Sequence, residues 1–177
     1  MSKEISVKID HASQEIMVLG AQMLGLKKVE GAQNSFHLPN GKTVEIRNGE
    51  VEGNFWLMGG KKVGEYTIKS QSEDENAEET IGAIRRAGLT ETVATYLIND
   101  DFDVNRNVSE GTVMASRRSE SISIRVGLDG LMHSDMGGFE GEACSLTMQK
   151  LLDKLPTHSV ESVKPKTQPQ HVVRTQE

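Results

Sequence analysis

Residues 121–128 read SISIRVGL, and Ile122, Ile124, Val126 and Leu128 fall on every second position. Strand side chains point alternately to two faces, so this spacing prescribes a β-strand that is apolar on one side and polar on the other. Asp129 and Gly130 follow, a dipeptide that strongly favours a hairpin turn. A return strand is therefore expected within LMHSDMGG. Gly137, Gly138 and Gly141 then lead into a run in which Cys144, Met148, Leu151, Leu152 and Leu155 share one stripe at helical spacing, while Gln149, Lys150 and Asp153 fall off it. The pattern predicts a helix over 142–155 packed on the hairpin, with SVESVKP as a closing strand.

Cys144 is the only cysteine, so an intrachain disulfide is excluded and nothing implies an oxidising compartment. The helix macrodipole would lower its pKa and apolar burial would raise it, and no Lys or His adjoins it in sequence. Its place on the apolar stripe makes it a structural, buried thiol. The preceding glycines allow positive φ and close passage of the strand end beneath the helix.

The front of the chain is organised differently. Ile5, Val7 and Ile9 alternate as a strand, and Asp10 or Ser13 can cap a helix in which Ala12, Ile16, Leu19 and Met23 recur up to Gly25. SFHL and KTVEI flank an Asn-Gly turn, and NFWLM and EYTIK follow across glycine-rich turns, so residues 1–70 read as strand, helix and antiparallel meander. The polar SQSEDENAEET marks a boundary. Beyond it, Ala77, Ile81 and Ile84 keep helical spacing to Gly88, and LTETVATYLI forms a second short helix, a helical hairpin over 74–98 with an acidic outer face.

The expected fold class is α+β in two small modules. An N-terminal module spans 1–110, a polar linker 111–120, a C-terminal β-hairpin and helix 121–164, and a mobile tail 165–177, where prolines punctuate KPKTQPQHVVRTQE.

Composition narrows the function. The 177 residues are 36% hydrophobic and only 4% aromatic, with a net charge of −6. Residues 71–110 hold three basic and ten acidic side chains, whereas 1–70 and 111–177 are nearly balanced. Nucleic-acid affinity comes largely from neutralising phosphates with Lys and Arg, so this balance argues against it. There is no apolar run long enough to span a membrane, and MSKEISVKID lacks a signal peptide's apolar region; the chain reads as cytoplasmic.

Sequence signatures of catalysis fail. GNFWLMGGKK lacks the glycine and hydroxyl spacing of a phosphate loop, which leaves Lys61 and Lys62 as turn residues. DFDVNR opens like a calcium loop with Asp101, Asp103 and Asn105, but Arg106 stands where glycine is needed and Thr112 where glutamate is needed. His11, His37, His133, His158 and His171 show no metal spacing. Ser134 lies between His133 and Asp135, yet sequence neighbours do not form a triad, and these residues read as a surface turn. No cofactor is called for. Phe55 and Trp56 are adjacent, so alternation turns one of them outward, and Trp56 is the candidate contact.

The segment ISIRVGLDGLMHSDMGGFEGEACSLTMQKLLDKL resembles a small bacterial family of uncharacterised proteins with the pattern strand, Asp-Gly turn, strand, Gly-Phe-x-Gly-x-x-Cys, helix. Ile122, Ile124, Val126, Asp129, Gly130, Gly138, Phe139, Gly141 and Cys144 match it in order, although LMHSDMG is less strand-like than the family pattern. EISVKIDHASQEIMVLGAQMLGL and TETVATYLINDDFDVN are similar, more diffusely, to the hypothetical open-reading-frame proteins of chloroplast and cyanobacterial genomes. Members of the two families are encoded near an AAA-type ATPase, so the resemblances imply a fusion of two accessory proteins serving such a machine.

The resulting expectation is a non-catalytic adaptor acting by protein–protein contact, with Trp56, Gly138, Phe139 and Gly141 as partner-binding residues, an AAA-type ATPase as partner, and sheet edges that would allow homo-oligomers. Two alternatives stand beside it. One is a nucleic-acid-binding module using GGKK with Trp56, or Arg117 and Arg118. The other is a small thiol enzyme using Cys144.

Overall fold

A computed structural model describes residues 3–9, 14–32, 34–39, 43–46, 60–63, 66–69, 77–141, 143–155 and 158–165. The fold is α+β. Its elements in chain order are β1 (Lys3–Ile9), α1 (Gln14–Met23), β2 (Ser35–His37), β3 (Thr43–Glu45), β4 (Gly60–Val63), β5 (Tyr66–Lys69), α2 (Ala77–Asn99), β6 (Asp103–Asn107), β7 (Thr112–Arg117), β8 (Glu120–Val126), β9 (Leu131–Gly137), α3 (Ala143–Leu152) and β10 (His158–Pro165).

Six strands form one sheet in the order β10-β1-β9-β8-β7-β6, with every neighbouring pair antiparallel. The first strand thus lies between two of the last three, with Ser6 opposite Ser162 on one side and His133 on the other. Elements expected in separate modules share this sheet, because an unpaired β1 would leave its amides and carbonyls without ladder partners. β2–β3 and β4–β5 are separate two-stranded hairpins, and Phe36 faces Val44 in the first. A hairpin therefore forms where SFHL and KTVEI place it, and among the described residues it is not continued into one meander with EYTIK. NFWLM lies outside the described residues, as do Asp10 and Ser13, and Lys61 and Lys62 fall within β4.

Residues 112–117, expected as linker, are β7. Val113 and Ala115 are buried, while Met114 and Ser116 are exposed. A small alanine at one inner position hides this alternation in the sequence. Asn107 closes the β6–β7 turn, its Oδ1 accepting from the N–H groups of Ser109 and Glu110 at 3.1 Å. Ile122, Ile124 and Val126 are buried as expected, but Leu128 belongs to the β8–β9 turn and is exposed. Asp129 Oδ1 accepts the N–H of Leu131 at 3.0 Å, and Gly130 takes φ 83°.

The inner strand positions share one apolar cluster with Ile16 and Met17 of α1, Ile81, Leu89 and Leu97 of α2, and Met148 and Leu151 of α3. Ser134 is also inward and 1% exposed, with no hydrogen-bond partner for its hydroxyl among the described residues. The opposite sheet face carries the exposed alternates. Among the described residues no helix is long and apolar enough to cross a membrane.

α1 ends as its sequence requires. Gly25 at φ 75° donates to Gln22 and Leu26 donates to Ala21, the paired bonds of a Schellman cap. α2 departs from expectation, since it is continuous where a helical hairpin was expected to turn at Gly88. Helical propensity costs glycine about 1 kcal/mol here, and packing explains its presence: a Cβ on Gly88 would stand 2.0 Å from the Ile16 carbonyl oxygen, and one on Gly20 would stand 2.0 Å from that of Ile84. Each glycine lets the backbone of the other helix approach. Nor is the acidic face of α2 wholly outward. Glu91 is 8% exposed and accepts from Arg106 of β6 at 2.6 and 3.0 Å, tying helix to edge strand.

Gly20→Ala and Gly88→Ala should each destabilise the protein by about 3 kcal/mol, because backbone rather than a movable side chain stands in the way. Urea unfolding would measure it. A loss below about 1 kcal/mol would mean that the helices separate readily.

Candidate interaction surface

Alternation along β6 to β9 sends the polar residues of each strand to the face that no helix covers among the described residues, and register sets them in rows. One row runs Asp135, Ser123, Met114, Asn105 across β9, β8, β7 and β6. The next runs Ser6, His133, Arg125, Thr112, Asn107 from β1 to β6. Met114 is 57% exposed, the most exposed of the large apolar side chains described. It borders a shallow cleft of about 520 Å³ shared with Asn105, Ser123 and Asp135.

Ser6 and His133 meet at 2.8 Å between Oγ and Nδ1, though 127 positions apart in the chain. A serine against an imidazole suggests a nucleophile and its base. Acyl transfer also needs donors aimed at a developing oxyanion, and β1 is laddered on both sides, which commits its backbone N–H groups to neighbouring strands. Among the described residues no carboxylate orients the imidazole by a hydrogen bond. The pair therefore serves to hold the His133 ring in place on the surface. His133 and Asp135, expected in a turn, stand on β9, a full seven-residue strand despite its weak pattern.

A second cleft, about 890 Å³, opens where the β7–β8 turn meets the approach to α3, lined by Asp101, Arg118, Ser119, Gly138 and Glu140 among others. Gly138 and Gly141 are exposed here, at φ 77° and 57°. A Cβ on Gly138 would stand 1.8 Å from the Ser119 carbonyl oxygen, so this glycine is demanded by the neighbouring turn. Phe139, expected as a contact, is 1% exposed and belongs to the core, which removes it from the surface set. Trp56 lies outside the described residues.

Arg117 is fully occupied. It donates to Glu120 at 2.9 Å and to the Asp100 carbonyl at 2.7 Å, lies 3.4 Å from the Asp100 carboxylate, and stacks 4.1 Å from the Phe102 ring centroid. Burial opposes its charge, but the bond to Glu120 and the charges of Glu120 and Asp100 outweigh it, raising its pKa above the ordinary arginine value. Arg118, at φ 55°, is exposed in the turn. The basic pair expected to act together is thus divided between a clip and a turn. Asp103 and Asn105 lie on β6 rather than in a loop, Asp101 precedes it at φ 65°, and no described group of His, Cys, Asp and Glu could hold a metal ion.

Cys144 is fully buried, and its Sγ lies 3.6 Å from Met136 Sδ beneath α3. The stripe that carries it, from Met148 to Leu155, is buried too, while Gln149, Lys150 and Asp153 are exposed. A thiol in that position packs as a small apolar group.

No protein-family model, curated protein or solved structure matches the chain. The row Ser6, His133, Arg125 went unseen in the sequence because it depends on β1 pairing with β9. The only local signal was the polar half of each alternation.

In the native protein, Cys144 should react with a thiol reagent no faster than the chain unfolds, and rapidly once denaturant is added; prompt stoichiometric labelling without denaturant would contradict its burial. Tyr96 gives a pH dependence. Burial, then the charges of Asp100 and Asp153, raise its pKa above 10.0 against a smaller opposing effect of Arg117. Above about pH 10 the unfolded chain releases this proton first and binds fewer protons than the folded one, so stability falls as pH rises towards the folded pKa. Urea midpoints measured across that range should decline less in Tyr96→Phe than in the wild type.

Proposed function

We propose that this chain is a non-catalytic accessory protein that works by protein–protein contact through its uncovered sheet face. The observation that carries the reading is the one-sided layering of the fold. The cluster shared with the helices fills one face of the six-stranded sheet, and the other presents aligned hydroxyls, amides, an imidazole and a guanidinium around an exposed methionine. Such a surface offers many hydrogen bonds in fixed register and one apolar anchor, which suits a folded protein surface better than a small molecule needing an enclosed pocket. The burial of Cys144 and the engagement of Arg117 weigh against the thiol and nucleic-acid alternatives. The resemblance of the two ends of the chain to accessory families encoded near an AAA-type ATPase makes such an ATPase the partner proposed for it.

Affinity capture from native lysate with the full chain tests the reading. A stoichiometric partner should be retained by the wild type and by Gln22→Arg, on the exposed side of α1, and weakened at least about tenfold by Met114→Arg, which places a charge in the row through Asn105, Ser123 and Asp135. Absence of any stoichiometric partner, a second copy of the chain included, or capture indifferent to Met114→Arg, would reject it.

A further inference from the structure

We propose that the uncovered face pairs with the same face of a second copy of this chain, forming an isologous dimer. The inference rests on reading that face as a protein contact surface, and it names the occupant.

Charge is divided between the two rows described above. The row through Ser123 and Met114 carries Asp135 and continues in register to Glu4 of β1 and Lys164 of β10, and the row through Thr112 carries Arg125 and His133. Arg125 and Asp135 lie diagonally on adjacent strands, yet among the described residues neither has an ion-pair partner. A two-fold axis running across the strands, between the rows, lays the acidic row of each copy on the basic row of the other. Asp135 then meets His133 and Arg125 of the second copy, and symmetry makes the contact twice. Asn105 comes over Asn107, and Met114 over the methyl of Thr112. A two-fold axis running along β8 would set Arg125 against Arg125, so the charge pattern selects the axis across the strands.

The size suits a small interface: six strands about 4.8 Å apart and up to about 23 Å long present a flat area of at most roughly 600 Å², below the ~800 Å² per partner of a standard interface. Bridging waters are expected between facing hydroxyls and amides, as in other polar interfaces.

Analytical ultracentrifugation of the purified full chain tests this. The wild type should sediment as a dimer at micromolar concentration. Arg125→Glu and Asp135→Arg should each weaken the dimer at least about tenfold, since each sets like charges face to face. Mixed in equal amounts, the two variants should associate with each other, because on one side of the axis the acidic replacement at 125 meets the basic replacement at 135, and on the other the native Asp135 meets the native Arg125. Circular dichroism checks that the variants fold, and the wild-type measurement decides even where one does not. A monomeric wild type, a dimer that survives both single changes, or folded variants that stay apart on mixing would each overturn the proposal. A monomeric wild type that still captures a different protein through Met114 would leave the contact-surface reading standing and remove only the second copy as its occupant.

Discussion

The ladder on both sides of β1 is the constraint on which the rest depends. Seven residues at the start of the chain supply hydrogen-bond partners to β9 and to β10, strands separated from it by well over a hundred positions. Without β1, β9 would become an edge, and β10 would have no neighbour in the sheet. Val7 also fills the inner layer, fully buried opposite Met132, so the strand contributes to the core as well as to the ladder. The loop-closure entropy of such a long connection is large in total but grows only logarithmically with length. Once β1 is docked, both ends of the chain are locked into one cooperative unit.

The helical layer obeys a second constraint, close approach. Gly20 and Gly88 bring α1 and α2 together so tightly that each would clash with the other's backbone if it carried even a methyl group. This proximity compensates for the scarcity of aromatics, since a core of Leu, Ile, Val and Met gains its dispersion energy from density rather than from large rings. The Glu91–Arg106 pair and the Arg117 clip then fasten α2 and the segment after it to β6, β7 and the start of β8. Charged side chains that composition suggested as free surface are thus partly consumed in holding layers together.

Among the described residues, Met114, Arg125, His133 and Asn105 stand exposed on the sheet face turned away from the helices. A two-layer α+β fold leaves that face to solvent or to a partner, and here it is polar, regular in register and divided in charge. A buried thiol, a glycine-bound turn and an occupied arginine shift attention from the end of the sheet near α3 to this surface.

Much of the fold was legible from local pattern. The strict alternation over Ile122, Ile124 and Val126, the Asp-Gly turn, the stripe from Cys144 to Leu155 and the Gly25 cap each follow from stereochemistry within a few residues. Gly88 was misread because a helix-interior glycine and a helix-ending one are identical in sequence; only the presence of Ile16 across the interface distinguishes them. β7 was missed because Ala115 occupies an inward position without a strong apolar signal, and Phe139 was misplaced because a conspicuous aromatic beside glycines looks the same whether it faces a partner or the core. The sequence by itself determined which segments become strands and helices and which side of each is apolar. Only the tertiary structure decided that β1 lies between β9 and β10, and hence that Ser6, His133 and Arg125 stand in one row, because strand order is set by long-range hydrogen bonding and shared burial that no local window contains.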